Sequence, residues 1–355
     1  MSRTLEGLLR PGVLAALGSA VLFGVAAPVA KVLLNQADPW LLAGLLYTGS
    51  GIGLTLLRLA RPRARGRLTR SDWGYLAVAI LFGGIAAPAL LMSGLAAMPA
   101  SNASLLLNAE GVFTVLLAWI VFRENFDRRI ALGVLAIVAG AVVLSWTPRA
   151  HSASVLPTTL VLAACLAWAI DNNVTRKLSL LDATWLASIK GLVAGATNLL
   201  LALLTHASWP PPSAVGIALV LGAVAYGVSL VLFVTALRFL GTARTGAYFS
   251  TAPFIGALVS VVWLRDPITA QLVMAAALMA LGIWLHLTER HEHPHTHEPL
   301  SHDHEHEHDE HHQHSHAGPV APGVSHRHPH VHGPLIHSHH HFPDAHHQHD
   351  HKNGH

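Results

Sequence analysis

The sequence predicts an all-α membrane protein with ten transmembrane helices, arranged as two inverted five-helix repeats and followed by a disordered tail. Of the 355 residues, 52% are hydrophobic and only 12% are charged, whereas soluble domains carry about 25% charge. The apolar residues form long runs between Gly12 and Leu287, and the chain matches itself at an offset of 142 to 145 residues. This composition excludes a soluble enzyme. It also excludes a secreted disulfide scaffold, because the one cysteine, Cys165, lies inside an apolar run.

Ten apolar runs are long enough to cross a bilayer, for which a helix needs about 20 mostly apolar residues. Polar and proline-containing connections, such as residues 208–212, end the helices. The first run exceeds the apolar stretch of a signal peptide and is predicted to remain as a permanent helix. The predicted spans are, in order, Gly12–Leu34, Trp40–Leu59, Trp73–Met98, Ala100–Phe122, Ile130–Trp146, Val155–Val174, Ala183–Leu204, Ala214–Leu237, Thr242–Leu264 and Ile268–Leu287.

The internal match divides the chain into three parts. Residues 118–124 align with residues 260–266, and Gly140 aligns with Gly282. Because each repeat has an odd number of spans, the second must be inverted in the membrane relative to the first. The predicted organisation is a first repeat at 1–146, a second repeat at 155–287 and a His-rich tail at 288–355.

The distribution of basic residues predicts the orientation, since Lys and Arg concentrate in cytoplasmic loops. With the N-terminus inside, the inner segments hold 16 basic residues and the outer segments hold three, Lys31, Arg149 and Arg265. Both termini are therefore predicted to lie in the cytoplasm, with the chain crossing the inner membrane many times. Orientation also accounts for the pI near 9.3, so no nucleic-acid partner is predicted.

The two hairpins of fourth and fifth spans resemble the EamA-type permeases of the drug/metabolite transporter superfamily. The residues that carry this resemblance are 116–124, 133–144 and 252–266. The resemblance covers about residues 12–287 and implies a transporter, not an enzyme, that works by alternating access. Asp266 stands where the family commonly has glutamate, and Gly111 replaces a frequent proline. The tail is absent from the family pattern.

Five polar side chains in the spans are candidates for the substrate pathway, because charges inside a bilayer are costly and need a partner or a wet cavity. Glu110 follows Ser101 by nine residues, which places it about 14 Å deep, where inverted-repeat transporters bind substrates and coupling ions. Asp171 and Lys190 lie at similar depths on consecutive helices, which permits an ion pair between them. Such a pair could equally serve helix packing. The candidates are Glu110, Asn108, Asp171, Asn172 and Lys190.

The tail holds 25 of the 28 histidines, with scattered prolines and little apolar surface. Such a composition cannot form a core and predicts disorder. Neutral imidazole binds zinc, nickel, cobalt and copper, so the tail is predicted to bind such metals, although a solvated low-complexity extension has the same pattern. No cofactor is predicted to be required. The predicted metal ligands are His302, His304, His306, His308, His312, His314 and His316.

The leading functional interpretation is a permease that exports or exchanges a small organic solute, coupled to a proton or ion gradient. Its partners are then the solute, the lipid bilayer and transition-metal ions at the tail, while a homodimer is left open. One alternative is a transition-metal transporter whose tail collects the ion. Another is a membrane metal sensor. The sequence leaves the substrate and the direction of transport open.

Overall fold

We describe the chain from a computed structural model, which covers residues 11–60, 69–122, 128–146, 152–178, 182–287, 294–297, 300–306, 326–332 and 335–338. Two units can be distinguished, one up to Glu289 and one from Arg290 onward. The first unit is a bundle of apolar helices. The second contains short strands.

The bundle confirms the helical membrane fold. Eight helices among the described residues are long and apolar enough to cross a membrane, and two shorter apolar helices follow them. We number these ten segments as spans in chain order. Their helices are Pro11–Gly24 and Ala26–Leu33 (span 1), Pro39–Ala60 (2), Arg70–Ala79, Ile80–Ala86 and Ala87–Ala96 (3), Ala100–Leu106 and Ala109–Phe122 (4), Arg128–Ser145 (5), Ser152–Thr175 (6, followed by a 3₁₀ turn at Arg176–Leu178), Ala183–Leu204 (7), Pro212–Leu221, Gly222–Val228 and Ser229–Phe249 (8 and the first part of 9), Ala252–Trp263 (the rest of 9) and Ala270–Leu287 (10).

Matching irregularities in the two halves support the internal repeat. Span 3 contains a π-helical turn at Ile80–Ala86, and span 8 contains one at Gly222–Val228, 142 residues later. The helix of span 4 is interrupted at residues 107–108, and the chain is interrupted again at residues 250–251, 143 residues later. These offsets equal the offset of the sequence match, so equivalent residues produce equivalent distortions.

Equivalent spans pack against each other in antiparallel directions, as an inverted repeat requires. In spans 5 and 10, a Cβ on Gly140 would lie 2.8 Å from Met279 Cγ, and one on Gly282 would lie 2.6 Å from Ile137 Cγ1. In spans 2 and 7, Gly51 approaches residues 191–192 while Gly44 approaches Leu199. Glycine is needed at these positions because a larger side chain would force the helices apart.

The chain reverses direction between Phe233 and Phe249, a stretch that includes the gap predicted at 238–241. The rings of these two residues have centroids 5.0 Å apart, whereas sixteen residues of straight helix would span about 24 Å. The interruption at residues 250–251 comes later, directly before a helix with Pro253 in its first turn. Proline has no N–H to donate within a helix and is favoured in a first turn.

The described part of the tail contains four strands, where the sequence predicts disorder. Strand β1 (Pro294–His297) pairs antiparallel with β4 (Leu335–Ser338), and β2 (Leu300–His306) pairs antiparallel with β3 (His326–His332). In β2 and β3, histidine alternates with other residues, and a period of two suits a strand. The predicted ligands His308, His312, His314 and His316 lie outside the described residues.

Candidate functional site

Glu110 lies in the first turn of the second half of span 4, directly after the interruption. Its Oε1 accepts a hydrogen bond of 2.8 Å from Asn172 Nδ2 on span 6. The same amide nitrogen lies 3.4 Å from Thr114 Oγ1, one turn further along span 4. The side chain of Glu110 is half-buried and that of Asn172 is exposed. Two of the predicted site residues are therefore in direct contact.

The predicted ion pair between Asp171 and Lys190 is present, and it joins spans 6 and 7. The side chains of Asp171 and Lys190 are 6% and 22% exposed, so the pair is largely removed from solvent. Thr175 Oγ1 donates to the other carboxylate oxygen of Asp171 at 2.9 Å. Asp171 also packs on Gly83, where an added Cβ would collide with its carboxylate. The absence of a side chain at Gly83 thus leaves room for the charged pair.

The π-helical turn of span 3 offers backbone carbonyls to side chains of three other spans. Gly83 O accepts a hydrogen bond of 2.7 Å from Tyr47 Oη and one of 3.0 Å from Trp168 Nε1. Gly84 O accepts a hydrogen bond of 3.1 Å from Asn198 Nδ2. A π turn frees carbonyls because its hydrogen bonds are shifted by one residue. These donors fix spans 2, 6 and 7 around the turn, beside Asp171.

Tyr47, Asn198 and Trp168 are not among the site residues predicted from the sequence. The signal that could have found them is the adjacent pair Gly83–Gly84 in the middle of an apolar run. Glycine within a helix is costly. An internal pair of glycines is therefore a sign that other groups approach the backbone closely.

A small cavity of about 10 Å³, the space of one water molecule, lies where irregular segments of both repeats come together. Among its lining residues, Ser104 is only 1% exposed, and its Oγ has no hydrogen-bond partner among the described residues. Aromatic rings on one side are in contact, with centroids 5.7 Å apart for Phe23 and Tyr226 and 5.8 Å apart for Tyr47 and Tyr226. The lining residues are Phe23, Gly24, Ala26, Ala27, Leu91, Ser104, Leu107, Trp168, Tyr226, Ala252 and Pro253.

Asn108 does not join the other predicted site residues, although it lies at the interruption of span 4. Its Nδ2 donates a hydrogen bond of 2.9 Å to Leu105 O and lies 3.7 Å from Met279 Sδ on span 10. The side chain of Asn108 therefore binds a carbonyl at the end of the helix Ala100–Leu106 and packs against span 10. Cys165 acts similarly at this interruption, with its Sγ 3.6 Å from Leu106 O.

At one end of the bundle, which we call the Lys31 end, polar side chains join neighbouring spans. Lys31 Nζ donates hydrogen bonds of 2.7 Å to Leu95 O and 2.9 Å to Ala96 O at the end of span 3. Asp266 Oδ2 accepts a hydrogen bond of 2.8 Å from the backbone N–H of Ser101 at the start of span 4. Lys31 thus binds the last carbonyls of a helix, where a basic side chain is favoured.

At the opposite end, which we call the Arg58 end, an ion pair joins two spans. Arg58 Nη1 lies 2.7 Å from Asp182 Oδ1, linking the end of span 2 to the start of span 7. Among the side chains that the structure describes, no group of three or more His, Cys, Asp or Glu residues is arranged to hold a metal ion.

Comparison with known proteins places this architecture in a family. The EamA-like transporter family matches residues 10–146 and 156–288, which are the two repeats. An "Uncharacterized transporter" of Methanothermobacter thermautotrophicus is 27% identical over 292 residues, covering 77% of this chain and 85% of the relative. The "Uncharacterized transporter YvbV" of Bacillus subtilis is 23% identical, covering 75% of this chain and 88% of the relative.

Further similarity is partial or structural. A "Probable amino-acid metabolite efflux pump" of Salmonella typhimurium is 29% identical over 167 residues, covering 44% of this chain and 51% of the relative. A crystal structure with 22% identity aligns with a TM-score of 0.58 over 77% of this chain and 95% of that chain, which shows a common fold. The family match spans both repeats and most of the chain. The chain therefore belongs to the EamA-like transporter family, and it is a multi-pass membrane transporter rather than an enzyme.

Proposed function

We propose that this transporter exports or exchanges a small organic solute by alternating access, with Glu110 as the carboxyl group that couples transport to a proton gradient. The observation that carries the proposal is the contact between Glu110 and Asn172 beside the Asp171–Lys190 pair. A carboxyl group at an interrupted helix, half-buried and reachable, can hold either a proton or a cationic part of a solute.

The charges of the site favour a solute with an amino group. Two carboxylates and one ammonium group give a net charge of −1 when all three are ionised, so the site attracts a cationic group. Asp171 and Lys190 together offer both signs, which a zwitterion could use. The name of the Salmonella relative supports an amino-acid metabolite as the solute.

The contacts at the two ends of the bundle support one access state. The Lys31 end is held by Lys31 and Asp266, while Asn172 beside Glu110 is exposed. We infer that this conformation is closed at the Lys31 end and open toward the Arg58 end. The excess of basic residues in the segments at the Arg58 end supports a cytoplasmic position for that end and for both termini.

The proposal is tested by solute uptake into proteoliposomes with an imposed pH gradient, using a panel of amino acids and related amines. Glu110→Gln keeps the shape of the side chain and its contact with Asn172 but cannot bind a proton. We expect it to abolish gradient-driven uptake while solute exchange continues. Asn108→Ser is the matched control, because Asn108 lies two residues away and faces span 10. Full pH-dependent uptake by Glu110→Gln would reduce Glu110 to a packing residue.

The alternative of transition-metal transport is tested in the same vesicles. Nickel, cobalt, zinc and copper are offered in place of the amines, with and without the tail. Metal flux that requires the tail would support the alternative. Flux of an amine alone would support the proposal.

A further inference from the structure

The small cavity beside span 4 is lined by two oxygen atoms that lack their usual partners. Ser104 Oγ is buried and has no hydrogen-bond partner among the described residues. The usual helical donor to Gly24 O would be the N–H of Pro28, and proline has none. A Cβ on Gly256 would lie 2.7 Å from each of these oxygen atoms, so Ser104 Oγ and Gly24 O face the same small space. A group that donates hydrogen bonds could serve both.

Three aromatic rings also line this cavity. They belong to Phe23, Trp168 and Tyr226, on spans 1, 6 and 8. Aromatic rings attract a cation that lies within about 6 Å of the ring centre, and the attraction is largest where water is excluded. A hydrogen-bond donor that also carries a positive charge therefore suits this lining.

The cavity lies one helical turn from the contact between Glu110 and Asn172. Leu107 lines the cavity, and its carbonyl accepts a hydrogen bond of 3.1 Å from the backbone N–H of Glu110. On span 6, Trp168 precedes Asn172 by four residues, a rise of about 6 Å. Because a single carbon atom separates the amino and carboxylate groups of an amino acid, a solute with its amino group in the cavity can extend its carboxylate toward the exposed amide of Asn172.

We propose that this cavity binds the primary ammonium group of the solute, with Ser104 Oγ and Gly24 O as hydrogen-bond acceptors. The inference rests on the proposed function and names primary amines of the amino-acid type as the substrate class. A cavity of about 10 Å³ has space for a group the size of one water molecule, so it accepts an –NH₃⁺ group and excludes an N-methylated one. Glu110 is then left free to carry the proton.

The test measures solute exchange in proteoliposomes without a pH gradient, a mode that needs no net movement of protons. The probes are alanine, leucine, phenylalanine and threonine, each compared with its N-methyl derivative. For the unchanged protein, we expect the N-methyl derivatives to require at least about a tenfold higher concentration for half-maximal exchange, because a methyl group added to a filled space is costly.

Ser104→Ala removes one acceptor and enlarges the cavity. We expect it to raise the half-maximal concentration of the amino acids about tenfold, as the loss of a hydrogen bond to a charged group does. It should also narrow the difference between each amino acid and its N-methyl derivative. Ser101→Ala is the matched control, because Ser101 is equally buried and its Oγ likewise lacks a partner in the described part of the chain, yet it does not line the cavity. Thermal unfolding in detergent confirms that each variant folds.

Tyr226 tests the contribution of the rings. Tyr226→Phe keeps the ring, whereas Tyr226→Leu removes it but leaves an apolar side chain. Tyr226→Leu should weaken the binding of the amino acids several-fold more than Tyr226→Phe does, since only an aromatic ring attracts the ammonium group.

The outcomes separate this inference from the proposed function. The ammonium site is overturned if the N-methyl derivatives exchange as well as the amino acids, or if Ser104→Ala behaves like Ser101→Ala, and transport coupled through Glu110 would still stand. Full pH-dependent uptake by Glu110→Gln, together with the expected results at Ser104, would overturn the role of Glu110 and leave the ammonium site standing. Exchange of none of the probes would overturn both.

Discussion

Removal of the ion pair between Asp171 and Lys190 should have a measurable effect on the stability of the bundle. Removing one partner of a buried pair typically costs 3–5 kcal/mol, because the other charge is left buried without compensation. Lys190 is 22% exposed, and Thr175 continues to donate to Asp171, so we expect the lower end of this range. A cost of about 3 kcal/mol changes the folding equilibrium by roughly 150-fold.

Three variants separate stability from transport. Lys190→Met and Asp171→Asn should each lower the free energy of unfolding by about 3 kcal/mol. The double variant should recover most of that loss, since replacing both charges of a buried pair is often neutral. If the pair binds solute, the double variant stays inactive although it is stable. Arg58→Met is the control. It breaks the ion pair with Asp182, whose side chains are 14% and 13% exposed and lie away from Glu110, so it should lower stability while transport is retained.

The assay is equilibrium unfolding in mixed micelles, followed by uptake in proteoliposomes for each variant that folds. Unchanged stability of both single variants would show that the ion pair contributes little to the free energy of unfolding and would contradict this expectation. Full transport by the stable double variant would leave the pair with a packing role only.

Three further outcomes follow from the structure. Gly83→Ala should destabilise the protein by about 1–3 kcal/mol, as overpacking does, whereas Gly216→Ala should change little because no other segment lies within 4 Å of its added Cβ; thermal unfolding in detergent compares them. Cysteine at position 65 should resist external labelling in intact cells, while cysteine at position 209 should react, and the reverse would contradict the inferred orientation. Truncation at Glu289 removes no residue of the bundle, so the shortened protein should insert and transport an organic solute at nearly the full rate.

Much of the fold could be predicted from the sequence because hydrophobic runs and repeat matching depend on composition and spacing. The alignment of Gly140 with Gly282 identified two positions that pack in equivalent ways. The interruption of span 4 at residues 107–108 could not be predicted, because an apolar run of that length also suits one continuous helix.

The contacts of the charged residues in the site could be predicted from the sequence, whereas those of the uncharged residues could not. Asp171 and Lys190 could be paired from their depths because two charges in an apolar bundle need each other. The side-chain direction of Asn108 could not be inferred, since it depends on Met279 of a distant span. Tyr47 was missed because its hydroxyl binds a backbone carbonyl, and sequence patterns carry no sign of a free carbonyl until a π turn is known.

Alternating access at the Glu110 site can be tested through the accessibility of position 172. Asn172→Cys is introduced together with Cys165→Ser, and a membrane-impermeant thiol reagent is applied to each side of oriented vesicles. We expect labelling from the cytoplasmic side without solute, and a shift toward the outer side when solute and a proton gradient drive the exchange. Labelling from both sides at once, or from one side under all conditions, would contradict alternating access at this site.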